Sequence, residues 1–175
     1  MRRGIKRFLV DNPRLKNRVF ASFGDGNTKT RTPMLDLAKR EGETRSKDRS
    51  LPWRLLPTQG QRGVRHTMFD ANAAKLFLHR RMLTARGSPG AIDYFGSQPH
   101  DMIGDHYDAE TRIVDEVNGR KVITFHLLPS KPDNHFFDTA VGSVVAMSML
   151  GVSLDGHTKP KKPRRPREAR KVNTI

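Results

Sequence analysis

The chain has 175 residues, of which 35% are apolar, and it contains no cysteine, which excludes disulfide bonds and thiolate zinc sites. Its length is that of one domain with or without a tail, and no apolar run approaches the roughly 18 residues of a membrane-spanning helix. The formal net charge of +15 favours nucleic acid or another polyanion as the partner, although a merely solvated basic surface has the same composition.

The basic charge is concentrated at the two ends of the chain. Residues 1–60 carry 15 Lys and Arg against 6 Asp and Glu, and residues 158–175 carry 8 against 1. Residues 61–157 carry 10 against 11. This distribution is typical of a site that collects carboxylates within a protein attracted to phosphates. We expect one domain over residues 1–157 and a disordered basic tail over 158–175, where prolines and like charges disfavour packing.

The N-terminal part of the chain predicts one helix and one strand. Residues 1–10 have the apolar spacing of a short amphipathic helix, which ends at residues 11–13. Residues 18–23 predict a strand that is closed by a glycine-rich turn at 24–26. Residues 27–50 are polar, and we expect an exposed, mobile loop there.

The middle of the chain predicts two strands, a helix and a third short strand. Strands are predicted over 53–57 and 64–69, and the second of them ends on Asp70. Apolar residues at helical spacing predict a helix over 72–86. A short strand is predicted over 91–95.

A hairpin and a long apolar helix complete the predicted domain. Residues 112–117 and 120–127 flank Asn-Gly at 118–119, the favoured two-residue turn because both of its positions take a positive φ. The final helix extends over 133–150. The order of elements predicts a mixed α/β domain in which helices pack against a sheet.

Two carboxylates occupy positions at which an active site could form. Asp70 ends an apolar strand before a helix, and open α/β sheets place ligands at the carboxyl ends of their strands. Asp138 lies in the first turn of the apolar final helix, where a desolvated carboxylate must be paired, hydrogen-bonded or bound to a cation. The structural alternatives are an N-cap for Asp70 and a favourable interaction with the helix dipole for Asp138. The second alternative is weaker because Phe136 and Phe137 surround Asp138 and Asn134 already supplies a cap.

If the final helix packs near the strand that ends on Asp70, the carboxylates of Asp70 and Asp138 converge. Converging carboxylates repel each other unless they share a proton or a cation. Mg²⁺ and Mn²⁺ take oxygen ligands, often one or two carboxylates together with phosphate and water. Two such ions about 3.5–4 Å apart activate water and stabilise the leaving oxygen in phosphodiester cleavage.

Three further residues are accessory candidates. His135 precedes Asp138 by three residues on a similar face, where it could orient the carboxylate or contact a phosphate, although such a histidine is more often structural. Asp105 and His106 belong to an acidic stretch, 99–110, for which a loop with a helical turn or two is the simpler interpretation, because the spacing matches no zinc pattern. We expect Trp53 in the core rather than in a base-stacking platform. The chain has no Walker lysine motif or Gly-x-Ser-x-Gly, so an ATPase or a serine hydrolase has no support.

Five segments occur in one order along the chain, and each is a weak motif alone. They are FDANAAK (69–75), PGAIDYFG (89–96), GDHYDAE (104–110), DNHFFD (133–138) and VVAMSMLG (144–151). Together they resemble the C-terminal nuclease region of the GpA-like large terminase subunit of tailed phages. The resemblance covers roughly residues 18–154.

The resemblance implies an RNase H-like nuclease domain, with a mixed sheet flanked by helices. In such domains a strand acid, an acid after a later strand and an acid on a late helix bind the metal ions; by position, Asp70 resembles the second and Asp138 the third. The implied cofactor is Mg²⁺ or Mn²⁺, and the implied substrate is concatemeric double-stranded viral DNA in the cytoplasm of a bacterial host. Other terminase or portal components are the implied partners. The ATPase domain that drives packaging in the family is absent from this chain.

The chain departs from the family pattern at its start, because the first strand with its acid is expected before Met1. Asp11 and Asp25 are poor replacements, since one ends a helix and the other lies in a glycine turn. The first hypothesis is therefore a metal-dependent DNA endonuclease domain of a terminase fragment, such as a prophage remnant. Basic residues at the two ends would hold the phosphate backbone: Arg2, Arg3, Lys6, Arg7, Lys161, Lys162, Arg164 and Arg165.

Two alternatives to the nuclease remain open. In the first, the chain is a catalytically inactive remnant that only binds DNA or takes part in assembly. In the second, it is a basic structural protein unrelated to terminases, which the acidic middle of the chain and the long final helix disfavour.

Overall fold

The structure is a mixed α/β fold with a four-stranded mixed sheet, a separate two-stranded hairpin and four α-helices within the part of the chain that is described. The computed structural model describes residues 2–15, 18–26, 32–58, 64–94, 96, 99–117, 119–131, 133–152 and 154. The predicted basic tail lies outside these residues. None of the helices in the described ranges has the length and apolar character needed to cross a bilayer.

The four-stranded sheet contains every strand predicted before residue 70, with one addition. Its strands are β1 (Ala21–Asp25), β2 (Thr44–Arg45), β3 (Trp53–Pro57) and β4 (Arg65–Asp70). They lie in the order β1-β4-β3-β2, with β1 parallel to β4 and the other neighbours antiparallel. The short strand β2 falls within the segment that the sequence predicts as a loop.

The predicted turn at residues 24–26 is wrong, because β1 continues through Gly24 to Asp25. Gly24 is favoured here by close packing. A Cβ atom at this position would lie 3.2 Å from Cζ of Phe69 and 3.3 Å from Cβ of Ala71. The glycine therefore lets β1 approach β4 closely, and it does not reverse the chain.

The helices lie where the sequence predicts them, except that the second ends at Met82 and not at residue 86. They are α1 (Arg2–Asp11), α2 (Ala71–Met82), α3 (Asp101–Tyr107) and α4 (His135–Met149). The predicted strand at 91–95 is wrong, since residues 91–94 have no regular secondary structure. The N–H of Ile92 donates to the carbonyl of Arg81 at 3.1 Å, so this segment docks on the C-terminal end of α2 instead of joining the sheet.

The predicted hairpin is confirmed, and it forms a sheet of its own. Its strands are β5 (Glu110–Val117) and β6 (Arg120–Leu127), and Gly119 has a φ of 71° as the predicted turn requires. The side-chain Oδ1 of Asn72 accepts a hydrogen bond from the Phe125 N–H at 3.3 Å, which ties the hairpin to the first turn of α2.

The core lies where α4 packs against α2 and the sheet. Its fully or largely buried side chains are Leu51, Trp53, Leu55, Phe69, Ala74, Phe77, Leu78, Tyr107, Phe137, Val141, Val144 and Val145. Trp53 belongs to this core as predicted, and its Nε1 donates to Oγ of Ser148 on α4 at 3.0 Å. The apolar face of α4 thus holds the helices on the sheet.

A buried ion pair lies in the segment that the sequence predicts as an exposed loop. The side chain of Glu43 is fully buried and accepts two hydrogen bonds from Arg54 on β3, with Nε–Oε1 at 2.8 Å and Nη2–Oε2 at 2.6 Å. Arg45 and the Arg40 N–H also donate to this carboxylate. The expectation of a wholly exposed loop is therefore wrong for Glu43, because the carboxylate has the partners that its burial requires.

Candidate functional site

Two carboxylates come together at one end of the four-stranded sheet. Asp25 is the last residue of β1 and Asp70 is the last residue of β4, and the two are paired in the parallel register. Neighbouring strands lie about 4.8 Å apart, and paired residues of parallel strands project on the same face. Asp25 and Asp70 therefore form an acidic pair, and the interpretation of Asp25 as a residue of a glycine turn is wrong.

The Asp70 carboxylate is held in place by the helix that follows it. Asp70 is the N-cap of α2, and its Oδ1 accepts a hydrogen bond from the Ala73 N–H at 2.9 Å. Burial raises the pKa of the Asp70 carboxyl group, the Ala73 and Asn72 N–H groups lower it, and the charge of Asp25 raises it further. The pKa of Asp70 thus lies above its ordinary value, as expected when a buried carboxylate faces a like charge.

Two substitutions of Asp70 separate its charge from its capping role. Asp70→Asn keeps an oxygen acceptor for the Ala73 N–H and removes the buried charge, so the free energy of unfolding at pH 7 should equal or exceed that of the wild type. Asp70→Ala removes the cap and should lower it by about 1 kcal/mol. Urea unfolding of both variants makes the comparison, and an Asn variant as unstable as the Ala variant would show that the buried charge of Asp70 does not destabilise the fold.

Asp138 lies in a different cluster, between α2, α4 and the start of β5. Its Oδ1 is 3.1 Å from Nζ of Lys75, which also contacts Oε1 of Glu110 at 2.5 Å. Nδ2 of Asn134 donates to the same Glu110 oxygen at 2.5 Å. Glu110 is almost completely buried, and its Oε2 has no hydrogen-bond partner. Lys75 therefore compensates the buried carboxylate of Glu110 and the more exposed one of Asp138.

The expectation that Asp138 is desolvated is wrong, because 53% of its side chain is exposed. Successive residues of a helix project about 100° apart. Phe137 enters the core, with rings of His79 and Tyr107 at 4.9 and 5.0 Å, and the next residue is consequently turned towards solvent. Asn134 occupies the N-cap position of α4 but makes no side-chain cap, since its amide group is directed to Glu110.

The accessory candidates lie at the exposed N-terminal end of α4. Nε2 of His135 is 3.5 Å from Oδ1 of Asp133, and its ring centroid is 6.2 Å from that of His106. Nδ1 of His106 accepts a hydrogen bond from the Phe136 N–H at 3.4 Å. Asp105 is 3.5 Å from the amine of Lys131. These contacts link α3 to α4, and they give His135 a partner other than Asp138.

A bound metal ion would have two carboxylate ligands at the sheet end. Over the described ranges, no group of three or more His, Asp or Glu residues could hold a metal ion, so Asp25, Asp70 and Asp138 do not form one three-ligand site. Asp25 and Asp70 are the residues that could hold Mg²⁺ or Mn²⁺, which commonly take one or two carboxylates and complete their shell with water and phosphate. Burial is the main cause of the raised pKa of Asp70 and the charge of Asp25 is a smaller one, and a cation bound there would offset both effects.

The predicted phosphate contacts at the chain ends are described only in part. The side chain of Arg7 is 83% exposed and lies 3.8 Å from the carboxylate of Asp11. The side chains of Arg2, Arg3 and Lys6 lie outside the described part of the chain, as do the tail residues. These are Lys161, Lys162, Arg164 and Arg165.

Comparison with protein families, with curated proteins and with solved structures gives no match for this chain. Three residues of the acidic clusters escaped prediction from the sequence, namely Asp25, Lys75 and Glu110. Asp25 could have been found from its place after Val-Phe-Ala-Ser-Phe, because an acid at the end of an apolar strand is the same signal that singled out Asp70. No local signal joins Lys75 to Glu110, which lies 35 residues further along the chain.

Proposed function

We propose that this protein is a metal-dependent DNA endonuclease domain of the phage terminase type, acting on double-stranded DNA with Mg²⁺ or Mn²⁺. The observation that carries the proposal is the pairing of Asp25 with Asp70 at the carboxyl ends of adjacent parallel strands. In the terminase resemblance a strand acid and a second acid after a later strand bind the metal, and β1 supplies a strand acid within this chain. An RNase H-like arrangement of the domain is part of the same proposal.

Each carboxylate of the pair has a distinct part in the proposed site. The Ala73 N–H holds the carboxylate of Asp70 at the start of α2, which fixes its orientation before any ligand arrives. Asp25 brings the second negative charge from β1. A divalent ion bound there would supply an activated water and charge stabilisation for the leaving oxygen. The formal charge of +15 supports a polyanionic substrate, since phosphate contacts contribute most of the sequence-independent affinity for DNA.

Nicking of supercoiled plasmid by the purified full chain tests the proposal. We expect relaxation of the plasmid with Mn²⁺ and none with EDTA. Asp70→Asn and Asp25→Asn should each reduce nicking to the level of the EDTA control, because each removes one charged ligand. Asp70→Asn retains the cap of α2, so its loss of activity should occur without a loss of stability.

The matched control is Asp93→Asn, which removes a half-exposed carboxylate paired with Arg86 far from the strand ends in sequence. This variant should nick plasmid at the wild-type rate. Asp138→Asn tests whether the third carboxylate of the terminase resemblance takes part in catalysis. The variant should impair nicking if the Asp138 carboxylate gives up its ion pair with Lys75 and binds the metal. Metal-dependent nicking that survives both Asp70→Asn and Asp25→Asn would refute the proposal.

A second candidate function is DNA binding without catalysis. The observation that favours it is the ion pair of Asp138 with Lys75, because an amine already occupies the position at which a third acidic ligand would meet a cation. A protein of this kind binds DNA with a steep salt dependence, equally well in Mg²⁺ and in EDTA, and never nicks it.

A further inference from the structure

A cavity of about 430 Å³ lies along one face of α2, opposite the face that contacts the hairpin. Three side chains of the helix form its apolar wall, Ala73, Leu76 and Phe77. Their spacing of three and four residues places them on one face of α2, whereas Asn72 and Lys75 lie on the face towards the hairpin. The cavity is of the size found for small organic ligands.

Three arginines surround this apolar wall. Arg80 and Arg81 come from the last turn of α2, and Arg49 comes from the segment that precedes β3. Among the described residues that line the cavity, none is acidic. The guanidinium group of Arg81 lies 5.0 Å from the ring centroid of Phe77, and Arg49 is bound on one side by Asp36. The cavity thus combines an apolar wall with a cationic rim, in which the carboxylate of Asp36 offsets part of the charge of Arg49.

We propose that this cavity binds one unpaired nucleotide of a DNA strand. The base would stack on the guanidinium plane of Arg81, which Phe77 supports from behind, and the flanking phosphates would contact Arg49 and Arg80. Stacking of bases on arginine and aromatic planes and phosphate contacts with arginine are the two general elements of single-strand recognition. In a duplex the bases are stacked inside the helix, so only a strand end or an opened base pair can fill the cavity.

The cavity is connected to the acidic pair through α2. Its wall begins at Ala73, and the N–H of this same residue caps Asp70. The arginines of α2 that would hold the nucleotide lie about two helical turns beyond Ala73, so a strand bound there would reach the carboxylates if it ran along α2 towards its N-terminus. Only this connection rests on the proposed nuclease function, since nucleotide binding in the cavity requires no metal.

Fluorescence anisotropy of a labelled thymidine oligonucleotide with the full chain in EDTA tests the inference without any cleavage. The double variant Arg49→Gln/Arg80→Gln should bind roughly tenfold more weakly, and its dependence of log affinity on log salt should be shallower by about 1.4, since each phosphate contact of a single strand contributes about 0.7. The matched control is Arg86→Gln/Arg112→Gln, which removes the same charge from two exposed arginines outside the cavity. The control should bind within about twofold of the wild type, as expected for charges that make no direct contact.

Two further measurements distinguish the cavity from general charge attraction. Leu76→Trp fills the cavity without changing the net charge, and it should weaken thymidine binding about as much as the double arginine variant. An abasic oligonucleotide of equal length should bind the wild type roughly tenfold more weakly, because losing the stacking of one base costs about that factor in affinity. Equal weakening by the control pair, or unchanged binding by a folded Leu76→Trp variant, would overturn the inference even if the plasmid is nicked.

Discussion

Glu43→Gln should lower the free energy of unfolding by about 3–5 kcal/mol, the usual effect of breaking one side of a buried ion pair. Gln has the size of Glu but no charge, so the guanidinium of Arg54 would stay buried without its counter-charge. Arg54 donates to both carboxylate oxygens of Glu43, and its own side chain is only 6% exposed. Urea unfolding at pH 7 measures the loss.

The pH dependence of stability provides a second measure of the same ion pair. Hydrogen bonds from Arg54, from the Arg40 N–H and from Arg45, together with the charge of Arg54, lower the pKa of Glu43 from 4.5 to about 2, against the opposing effect of burial. Because the folded pKa is lower than the unfolded one, the stabilisation is fully present above about pH 4.5 and is lost as the pH falls towards 2. The shift corresponds to about 3 kcal/mol. The stability of the wild type should therefore approach that of Glu43→Gln as the pH falls through this window.

The control for this prediction is Asp36→Asn, which breaks the ion pair with Arg49 on the protein surface. Both side chains of that pair are largely in water, with 45% and 75% of their areas exposed. An exposed pair contributes about 1 kcal/mol or less, so this variant should unfold near the wild-type urea concentration. Equal losses in the two variants would mean that the Glu43 pair is not buried in solution.

Phe137→Ala should lower the free energy of unfolding by about 3–5 kcal/mol, as expected when a large aromatic side chain is removed from a packed core. Phe137 is fully buried, and its ring contacts the rings of His79, Tyr107 and Phe125. It thus joins α4 to α2, to α3 and to the hairpin at one point. Urea unfolding again makes the measurement, with loss of near-UV circular dichroism as a second sign of disturbed aromatic packing.

The preceding residue is the matched control for Phe137. Phe136 is the same residue type on the same helix, but it is 41% exposed and contacts mainly the ring of His106. Phe136→Ala should lower the free energy of unfolding by less than about 1 kcal/mol, because exposed substitutions have small effects. A similar loss in both variants would contradict the placement of the two rings.

The elements with strong local signals were predictable from the sequence. The hairpin β5–β6 has the sequence Asn-Gly between its two strands, and α4 has a long apolar run that ends at a glycine. Both signals depend only on residues close together along the chain. The strand predicted at 91–95 failed because Ile92 is hydrogen-bonded to the end of α2 and its side chain packs against the core, and a contact with a distant element has no local signature.

Of the acidic pair, Asp70 was predicted as a site residue and Asp25 was not, and the difference has a physical reason. Asp25 stands between two glycines, and such a sequence usually forms a turn because glycine accepts a positive φ. In this protein Gly24 serves another need, since a Cβ atom there would lie only 3.2 Å from the ring of Phe69, which would have to shift slightly. The burial of Glu43 was also not predictable from the local sequence. A charged residue in a polar segment is normally exposed unless it pairs with a distant residue, here Arg54.

The parallel pairing of β1 with β4 has a consequence for the order in which the protein folds. Ala21 pairs with His66, so this contact closes a long stretch of chain, whereas the hairpin closes over two residues. Short hairpins form within microseconds, and contacts between distant segments form later because the entropy of closing a long loop must first be overcome. We therefore expect the strand that carries Asp25 to dock late. A folding chain should form its hairpin before its acidic pair, so the sheet end that holds Asp25 and Asp70 is complete only in the finished fold.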